Sequence, residues 1–295
     1  MTVWEELRWV AGRLPPREGA LLLADTLGID TEGLYLHPSR PVPVPKERLF
    51  RQKVRLRQSG MPQAYVRERA YFWDLELRVT PGVLCPRPET EHLVEAVLRT
   101  GGVDDVVAEI GTGSGAVAMA IKKERPDWTV VATEIDYEAS IVARENIRAH
   151  GLDIPVLRGD LTAPLARAGI RPDVLVMNPP YVAPGDSVDR DVHMEPALAI
   201  WGGPDGLSVT RRLADAARSV LVPGGRLLLE IGSGRAPEVQ RIAKERGLSF
   251  VEATPDLSGT IRVLHFRRPE GARFGYLLRG GSGQVAAGDI ADGSC

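Results

Sequence analysis

The feature that most constrains the fold is an alternation of strand-like and helix-like segments between residue 91 and about residue 267. The apolar segments with the length and composition of strands lie at 105–110, 129–135, 154–158, 173–177, 225–231, 249–254 and 261–266. Helix-like segments separate most of them. Strands that are separated by helices pair in parallel, and helices then cover both faces of the sheet. We therefore predict an α/β domain at 81–268 with a doubly wound, mostly parallel, seven-stranded sheet.

Residues 1–62 predict a separate, small helical domain. Apolar residues recur at helical spacing in 4–14, 18–27 and 46–58, and a proline-rich connector lies at 37–45. The third of these helices carries a run of basic residues, namely Arg48, Arg51, Lys53, Arg55 and Arg57. Such a run is either a solvated face or a contact for an acidic partner, and the sequence leaves both interpretations open.

Two further segments flank the larger domain. Residues 63–80 alternate and are rich in aromatic and β-branched residues, so we predict a β-hairpin linker with its turn near 67–70. Residues 269–295 are rich in glycine and lack apolar periodicity, so we predict a disordered tail.

The composition of the 295 residues argues against several classes of protein. A formal net charge of −2 lacks the basic excess of a general nucleic-acid binder, so direct nucleic-acid binding is not expected. Cys85 and Cys295 give neither a disulfide framework nor a metal quartet, and we expect no metal. No segment has the apolar run of a signal peptide or a membrane span. We expect a cytoplasmic protein that does not enter a membrane.

A glycine-rich loop follows the first predicted strand of the larger domain. It consists of Gly111, Thr112, Gly113, Ser114 and Gly115 and leads into a helix. Glycines let the backbone turn sharply and approach a ligand closely, and backbone N–H groups at the start of a helix can face that ligand. Dinucleotide-binding folds have such loops as well, and some are only tight turns, so the loop by itself does not identify the ligand.

Acidic residues end the next two predicted strands. Glu134 lies about 20 residues after the glycine loop, where an acid can accept hydrogen bonds from both ribose hydroxyls of a nucleoside. Asp136 is two positions further along and could take its place. Asp160 ends the third strand, where it could lie beside an adenine that Leu161 covers. Alternatively, these acids are solvent-facing residues at strand ends.

The tetrapeptide Asn178-Pro179-Pro180-Tyr181 follows the fourth strand and decides the expected chemistry. Two consecutive prolines make an extended segment that neither a helix nor a central strand tolerates. The Asn178 side chain offers an acceptor, and the Pro179 carbonyl is a second acceptor because Pro180 has no N–H. Two fixed acceptors match the two hydrogens of a planar NH₂ group, on which Tyr181 can pack.

Together, these motifs resemble those of class I methyltransferases that act on amino or amide nitrogens. Two branches use such a tetrapeptide: DNA adenine methyltransferases, and the protein-(glutamine-N5) methyltransferases of peptide-chain release factors (HemK type). The segments PRPET at 86–90 and EPALAIWGGPDGL at 195–207 resemble the second branch, and the similarity spans about 4–265.

This resemblance implies a cofactor, a substrate and a set of site residues. S-adenosylmethionine would contact 111–115, Glu134, Asp160, Leu161 and Asn178, and residues 178–181 would hold a glutamine of a release factor. We also expect the helical domain 1–62 to dock the protein substrate, because nothing in the crevice itself can distinguish one glutamine from another. The chain departs from the family, which usually has aspartate at Glu134 and isoleucine at Cys85. A paralogue that methylates another amide and an adenine-N6 methyltransferase therefore stay as alternatives.

The sequence does not assign a role to Arg87 or to His193. Arg87 could pair with the carboxylate of the cofactor or with Glu89, and the sequence does not separate these possibilities. His193 lies in the segment after the tetrapeptide and is interpreted as a surface loop residue.

Overall fold

The computed structural model of the protein describes residues 1–270, apart from the side chain of Arg190. The predicted disordered segment 269–295 therefore lies, except for its first two residues, outside the described part. The small N-terminal domain consists of helices α1 (Val3–Ala11), α2 (Pro16–Leu27), α3 (Thr31–Leu36), α4 (Val44–Gln58) and α5 (Gln63–Arg67). Its apolar faces form a core of their own, with Leu22, Leu34 and Phe50 fully buried. Helix α3 was not predicted, and α4 begins inside the proline-rich connector because Pro45 occupies the first turn, where its missing N–H costs nothing.

The basic helix α4 is only partly a free surface. Arg51 forms an ion pair with the fully buried carboxylate of Glu6 at 2.8 Å. Arg57 pairs with Glu18 in the same domain and, at 3.1 Å, with Asp191 in the larger domain. These two arginines therefore hold the structure together, and the expectation that the whole run is one surface is wrong for them.

The hairpin is present, but its position and role differ from the prediction. Residues 63–67 form α5, and the strands are β1 (Arg69–Phe72) and β2 (Leu75–Arg78), with the turn at 73–74. The hairpin is not a free linker, because Phe72, Leu75 and Leu77 are buried in the core of the larger domain. Side-chain burial, rather than the strand pattern of 63–67, decided where the turn lies.

The larger domain contains the predicted alternation. Its elements are α6 (Glu91–Thr100), β3 (Val106–Ile110), α7 (Ala116–Glu124), β4 (Thr129–Glu134), α8 (Tyr137–Ala149), β5 (Val156–Arg158), α9 (Ala163–Arg167), β6 (Val174–Met177), α10 (Ala197–Ile200), α11 (Ser208–Val220), β7 (Arg226–Glu230), α12 (Ala236–Glu245), β8 (Ser249–Pro255) and β9 (Ile261–Arg267). The strands form one sheet in the order β5-β4-β3-β6-β7-β9-β8. Strand β9 runs in the direction opposite to the other six strands. The predicted seven-stranded, mostly parallel sheet is confirmed.

Alternate residues of the central strands pack on opposite faces of the sheet. Val107 and Val176 belong to the core under α6 and α7, whereas Ala108 and Leu175 belong to the core under α11 and α12. Both faces are covered, which explains why these strands have continuous apolar sequences instead of alternating ones.

The order of the strands creates a switch point between β3 and β6. From β3 the chain proceeds outward through β4 and β5, and it then returns to pair β6 with the other side of β3. The connections that follow β3 and β6 therefore diverge and leave a crevice at the carboxyl ends of the strands. The glycine-rich loop follows β3 and the tetrapeptide 178–181 follows β6, so both lie at this crevice.

Candidate active site

A cavity of about 310 Å³ occupies the crevice at the switch point. It is lined by seven of the residues predicted from the sequence: Gly111, Gly113, Glu134, Asp160, Leu161, Asn178 and Pro180. Apolar side chains that the sequence did not single out complete its walls, among them Ile135, Met177, Leu198 and Val209. The predicted residues thus come together from loops that follow four different strands.

The glycine loop has the backbone conformation that its sequence requires. Gly111, Gly113 and Gly115 have φ values of 70°, 55° and 88°, which L residues with a side chain rarely adopt. Thr112, Ser114 and Gly115 do not line the cavity. The Thr112 hydroxyl donates to the buried Glu109, and the Ser114 carbonyl accepts a hydrogen bond from Asn146 at 2.8 Å. These three residues therefore support the loop from behind.

Two side chains that sequence reasoning missed fix the loop in place. Glu109 accepts hydrogen bonds from the Thr112 hydroxyl and from the backbone N–H of Ala118 at 2.9 Å, and burial raises its pKa to about 8. Asn146 on α8 bonds the Ser114 carbonyl and both backbone groups of Arg78 on the hairpin. The hairpin is thereby linked to the glycine loop.

Glu134 is buried at the end of β4, with 6% of its surface exposed. One carboxylate oxygen accepts the Gly113 N–H at 2.8 Å, and the other accepts the Asp136 N–H at 2.9 Å. Each oxygen retains a lone pair for a further donor. Asp136 is not a substitute for Glu134, because its side chain caps α8 by accepting the Ala139 N–H.

Asp160 and Leu161 lie at the end of the cavity next to β5. The Asp160 carboxylate forms an ion pair with Arg212, which extends from α11 and also lines the cavity. Leu161 has a φ of 46°, and its carbonyl accepts a hydrogen bond from Thr133. With Ile135, Leu161 gives this end of the cavity apolar walls.

Residues 178–181 lie between this cavity and a second, more polar one. Asn178 and Pro180 line the first cavity, whereas Tyr181 lines the second, which has a volume of about 600 Å³. The Asn178 Nδ2 donates to the Thr90 hydroxyl oxygen at 3.2 Å, which leaves Oδ1 as an acceptor. Within residues 1–270, no donor is hydrogen-bonded to the Pro179 carbonyl. Both oxygens are therefore without a donor in the described residues, although Pro179 itself is buried and lines neither cavity.

Three glycines that the sequence did not single out hold this tetrapeptide in place. A Cβ on Gly202 would lie 2.4 Å from the Pro180 carbonyl oxygen, and a Cβ on Gly206 would lie 2.3 Å from the Tyr181 carbonyl oxygen. On the other side, a Cβ on Gly232 would lie 2.9 Å from the Tyr181 ring. A side chain would therefore meet backbone atoms at Gly202 and Gly206, and the Tyr181 ring at Gly232. Burial raises the pKa of Tyr181, so its hydroxyl stays protonated.

The second cavity is lined by charged residues from several segments: Arg87, Glu89, Asp189, Asp191, Glu230 and Arg262. Arg87 does not line the first cavity, and its ion-pair partner is not Glu89. It forms a 2.6 Å ion pair with the buried Glu195. His193 is exposed beside Trp201, as expected, but it lies in a short 3₁₀ helix, Arg190–Met194, and not in a loop. Cys85 is buried in an apolar cluster, and burial raises its thiol pKa to about 12, so it packs as a small apolar side chain.

Two kinds of feature are absent from residues 1–270. No group of three or more His, Cys, Asp or Glu side chains in this part of the chain could hold a metal ion. No helix there is both long and apolar enough to cross a membrane.

Comparison with known proteins gives relatives that match most of the chain. Residues 77–195 match the family described as Methyltransferase small domain, and residues 10–67 match the PrmC N-terminal domain. A release factor glutamine methyltransferase from Coxiella burnetii is 35% identical over 259 residues, which cover 87% of this chain and 93% of the relative. The chain belongs to the release factor glutamine methyltransferase family. The resemblance found in the sequence is thus confirmed.

Other relatives of this release factor glutamine methyltransferase agree with that assignment. The family member from Moorella thermoacetica is 42% identical over 229 residues, covering 75% of this chain and 80% of its own length. Among solved structures, a methyltransferase from Pyrococcus furiosus has a TM-score of 0.52 at 20% identity and covers 67% of this chain and 90% of its own. That likeness shows the methyltransferase fold alone.

Proposed function

We propose that this methyltransferase transfers a methyl group from S-adenosylmethionine to the side-chain amide nitrogen of a glutamine in a peptide-chain release factor. The observation that supports this most is the position of residues 178–181 between two cavities. The first cavity suits a nucleoside and is lined by Asn178, whereas the second is lined by Tyr181 and has room for a segment of a protein substrate.

The residues of the first cavity fit S-adenosylmethionine. Its apolar walls suit an adenine ring, and the buried carboxylate of Glu134 suits two ribose hydroxyls. The glycine loop leaves the backbone open to close approach. The residues that would hold the cofactor are Gly111, Gly113, Glu134, Asp160, Leu161 and Asn178. When bound, S-adenosylmethionine supplies an electrophilic methyl group.

The residues around Asn178 address the weak nucleophilicity of an amide. The lone pair of an amide nitrogen is delocalised, so the nitrogen reacts only when it is held in line and its developing positive charge is stabilised. Asn178 Oδ1 and the Pro179 carbonyl would each accept one N–H of the target amide. Tyr181 would pack on its planar face, supported from behind by Gly232.

The helical domain 1–62 is the proposed docking surface for the protein substrate. Its core is separate from that of the catalytic domain, and its Arg57 contacts Asp191, which lines the second cavity. On α4, Arg48 and Arg55 are exposed, lie seven residues apart on one face, and have no salt bridge within residues 1–270. These two charges could steer an acidic partner towards the site.

Incubation with labelled S-adenosylmethionine and an intact release factor tests the proposal. We expect label in the release factor, on a glutamine, and none when that glutamine is replaced by glutamate. Label in an adenine-containing DNA duplex would favour the adenine-N6 alternative instead. Calorimetry that shows binding of NAD but not of S-adenosylmethionine would contradict the proposed cofactor.

A further inference from the structure

Thr90 lies where a 3₁₀ turn, Pro88–Thr90, leads into α6, and its own backbone is helical, with φ −68° and ψ −17°. It occupies the N-cap position of α6, where a threonine hydroxyl commonly accepts a backbone N–H of the first turn. Here it makes no such cap, although the side chain is buried, with 6% exposed. Its oxygen instead accepts the Asn178 Nδ2–H at 3.2 Å.

Glu230 interacts with the same hydroxyl, because it follows Leu229, the residue of β7 that pairs with Met177 of β6. It ends β7, only 2% of its surface is exposed, and its Oε2 has no hydrogen-bond partner within residues 1–270. Burial raises its pKa to about 7, while the interaction with the Thr90 hydroxyl lowers it. The carboxylate also borders the second cavity, beside Tyr181.

The single proton of the Thr90 hydroxyl determines how Asn178 is oriented. A hydroxyl has one donor and two acceptor lone pairs, and an asparagine amide can turn by half a rotation to exchange its oxygen and nitrogen. When the proton is donated to Glu230, only lone pairs of Thr90 face Asn178. The amide must then present NH₂ to Thr90 and keep Oδ1 on its other side.

We propose that Thr90 and Glu230 are positioning residues, which fix the Asn178 amide so that Oδ1 and not NH₂ meets the target amide. The inference rests on the proposed function. A flipped Asn178 would set its own NH₂ against the NH₂ of the target glutamine, and two donors cannot bond to each other. Neither Thr90 nor Glu230 needs to touch the substrate for this effect.

Removal of the Thr90 hydroxyl tests the orientation of Asn178 directly. Thr90→Val should lower kcat about 10-fold to 100-fold, the range for one buried polar contact, and should leave the Kd for S-adenosylmethionine close to that of the wild type. Thr90→Ser retains the hydroxyl and should retain most of the activity. Thermal unfolding of both variants controls for a loss of structure.

The pH profile of kcat/KM tests Glu230. Above its pKa, the Glu230 carboxylate accepts a hydrogen bond from the Thr90 hydroxyl. Below its pKa, protonated Glu230 can donate a hydrogen bond to Thr90 instead, and the Thr90 proton can then face Asn178. Activity should therefore rise with pH through about 7 in the wild type. In Glu230→Gln this step should vanish, while activity above it persists because glutamine can still turn an oxygen to Thr90.

Other charged or titratable groups also face Glu230 and need a control. They are Arg262 on β9, Glu89 in the turn before α6, Tyr181 after β6, and His92 on α6. His92 is the histidine among them, so His92→Gln is the matched control and should keep the step.

Three results would overturn the inference: normal kcat in Thr90→Val, equal losses in Thr90→Ser and Thr90→Val, or a pH step that persists in Glu230→Gln. If Thr90→Val does not fold, the Glu230→Gln profile alone decides. A wild-type protein that fails to methylate the release factor would contradict the proposed function itself. An active wild type together with an equally active Thr90→Val would contradict only the positioning role of Thr90.

Discussion

Replacement of Glu134 by glutamine is the most direct test of the cofactor site. In the wild type, the two carboxylate oxygens accept the N–H groups of Gly113 and Asp136 at 2.8 and 2.9 Å. Glutamine has one oxygen, so its NH₂ group would face one of these N–H groups. Two donors would then oppose each other in a site where the side chain is 6% exposed, and the glycine loop would have to move.

The expected size of the effect follows from these contacts. A hydrogen bond to a charged group contributes about 1.5–3 kcal/mol, and each 1.4 kcal/mol is about tenfold in Kd. Loss of one such bond should weaken binding of S-adenosylmethionine about 10-fold to 150-fold. The measurement is isothermal titration calorimetry, which does not depend on activity.

Asp136→Asn is the matched control for this variant. It removes a neighbouring negative charge that also lines the cavity, but asparagine caps a helix as well as aspartate does. We expect Asp136→Asn to bind the cofactor nearly as tightly as the wild type. Unchanged affinity in Glu134→Gln would refute the argument. Equal weakening in both variants would show that negative charge, not hydrogen bonding, determines affinity.

The other predictions concern the target amide, the packing around it and docking. Asn178→Ala should fold but lose about 100-fold or more in the rate of methyl transfer, measured in single turnovers at saturating cofactor, since one preorganised polar contact contributes about 2.7–4 kcal/mol. Near-normal turnover would contradict the role of its Oδ1. Gly202→Ala should lower the free energy of unfolding by about 1–3 kcal/mol and abolish most methyl transfer, because its Cβ would collide with the Pro180 carbonyl. An unchanged Tm would show that the backbone around Pro180 can move to accommodate the Cβ. Reversal of Arg48 and Arg55 to Glu should raise KM for the intact release factor at low salt but not for a short glutamine peptide, which does not reach α4. Equal KM values for the full protein would mean that these charges are only a solvated face.

Much of the fold could be predicted because its signals are local. Both faces of the central strands are buried, so their sequences are continuous apolar runs, and helices separate them. The hairpin was misplaced because residues 63–67 have strand-like composition, whereas burial of Tyr65 and Val66 makes them part of a helix. At residues 63–67, tertiary packing outweighed the local strand propensity.

The motifs of the site could also be predicted from the sequence, but not which of their residues line the cavity and which support it. The pattern at 111–115 indicated a ligand loop, yet only tertiary structure decided that Gly111 and Gly113 line the cavity while Thr112 turns to Glu109. A sequence motif specifies backbone freedom and side-chain chemistry. The direction of each side chain depends on the elements packed around it.

What the sequence by itself determined is the set of groups that chemistry requires: a glycine loop, an acid after β4, and the acceptors of Asn178 and Pro179. What only the tertiary structure decided is which distant residues orient those groups. Thr90 lies 88 positions before Asn178, and their contact exists because α6 and β6 pack side by side. A hydrogen bond between such distant positions leaves no periodic pattern in the sequence, since neither residue alone shows that the other will be its partner.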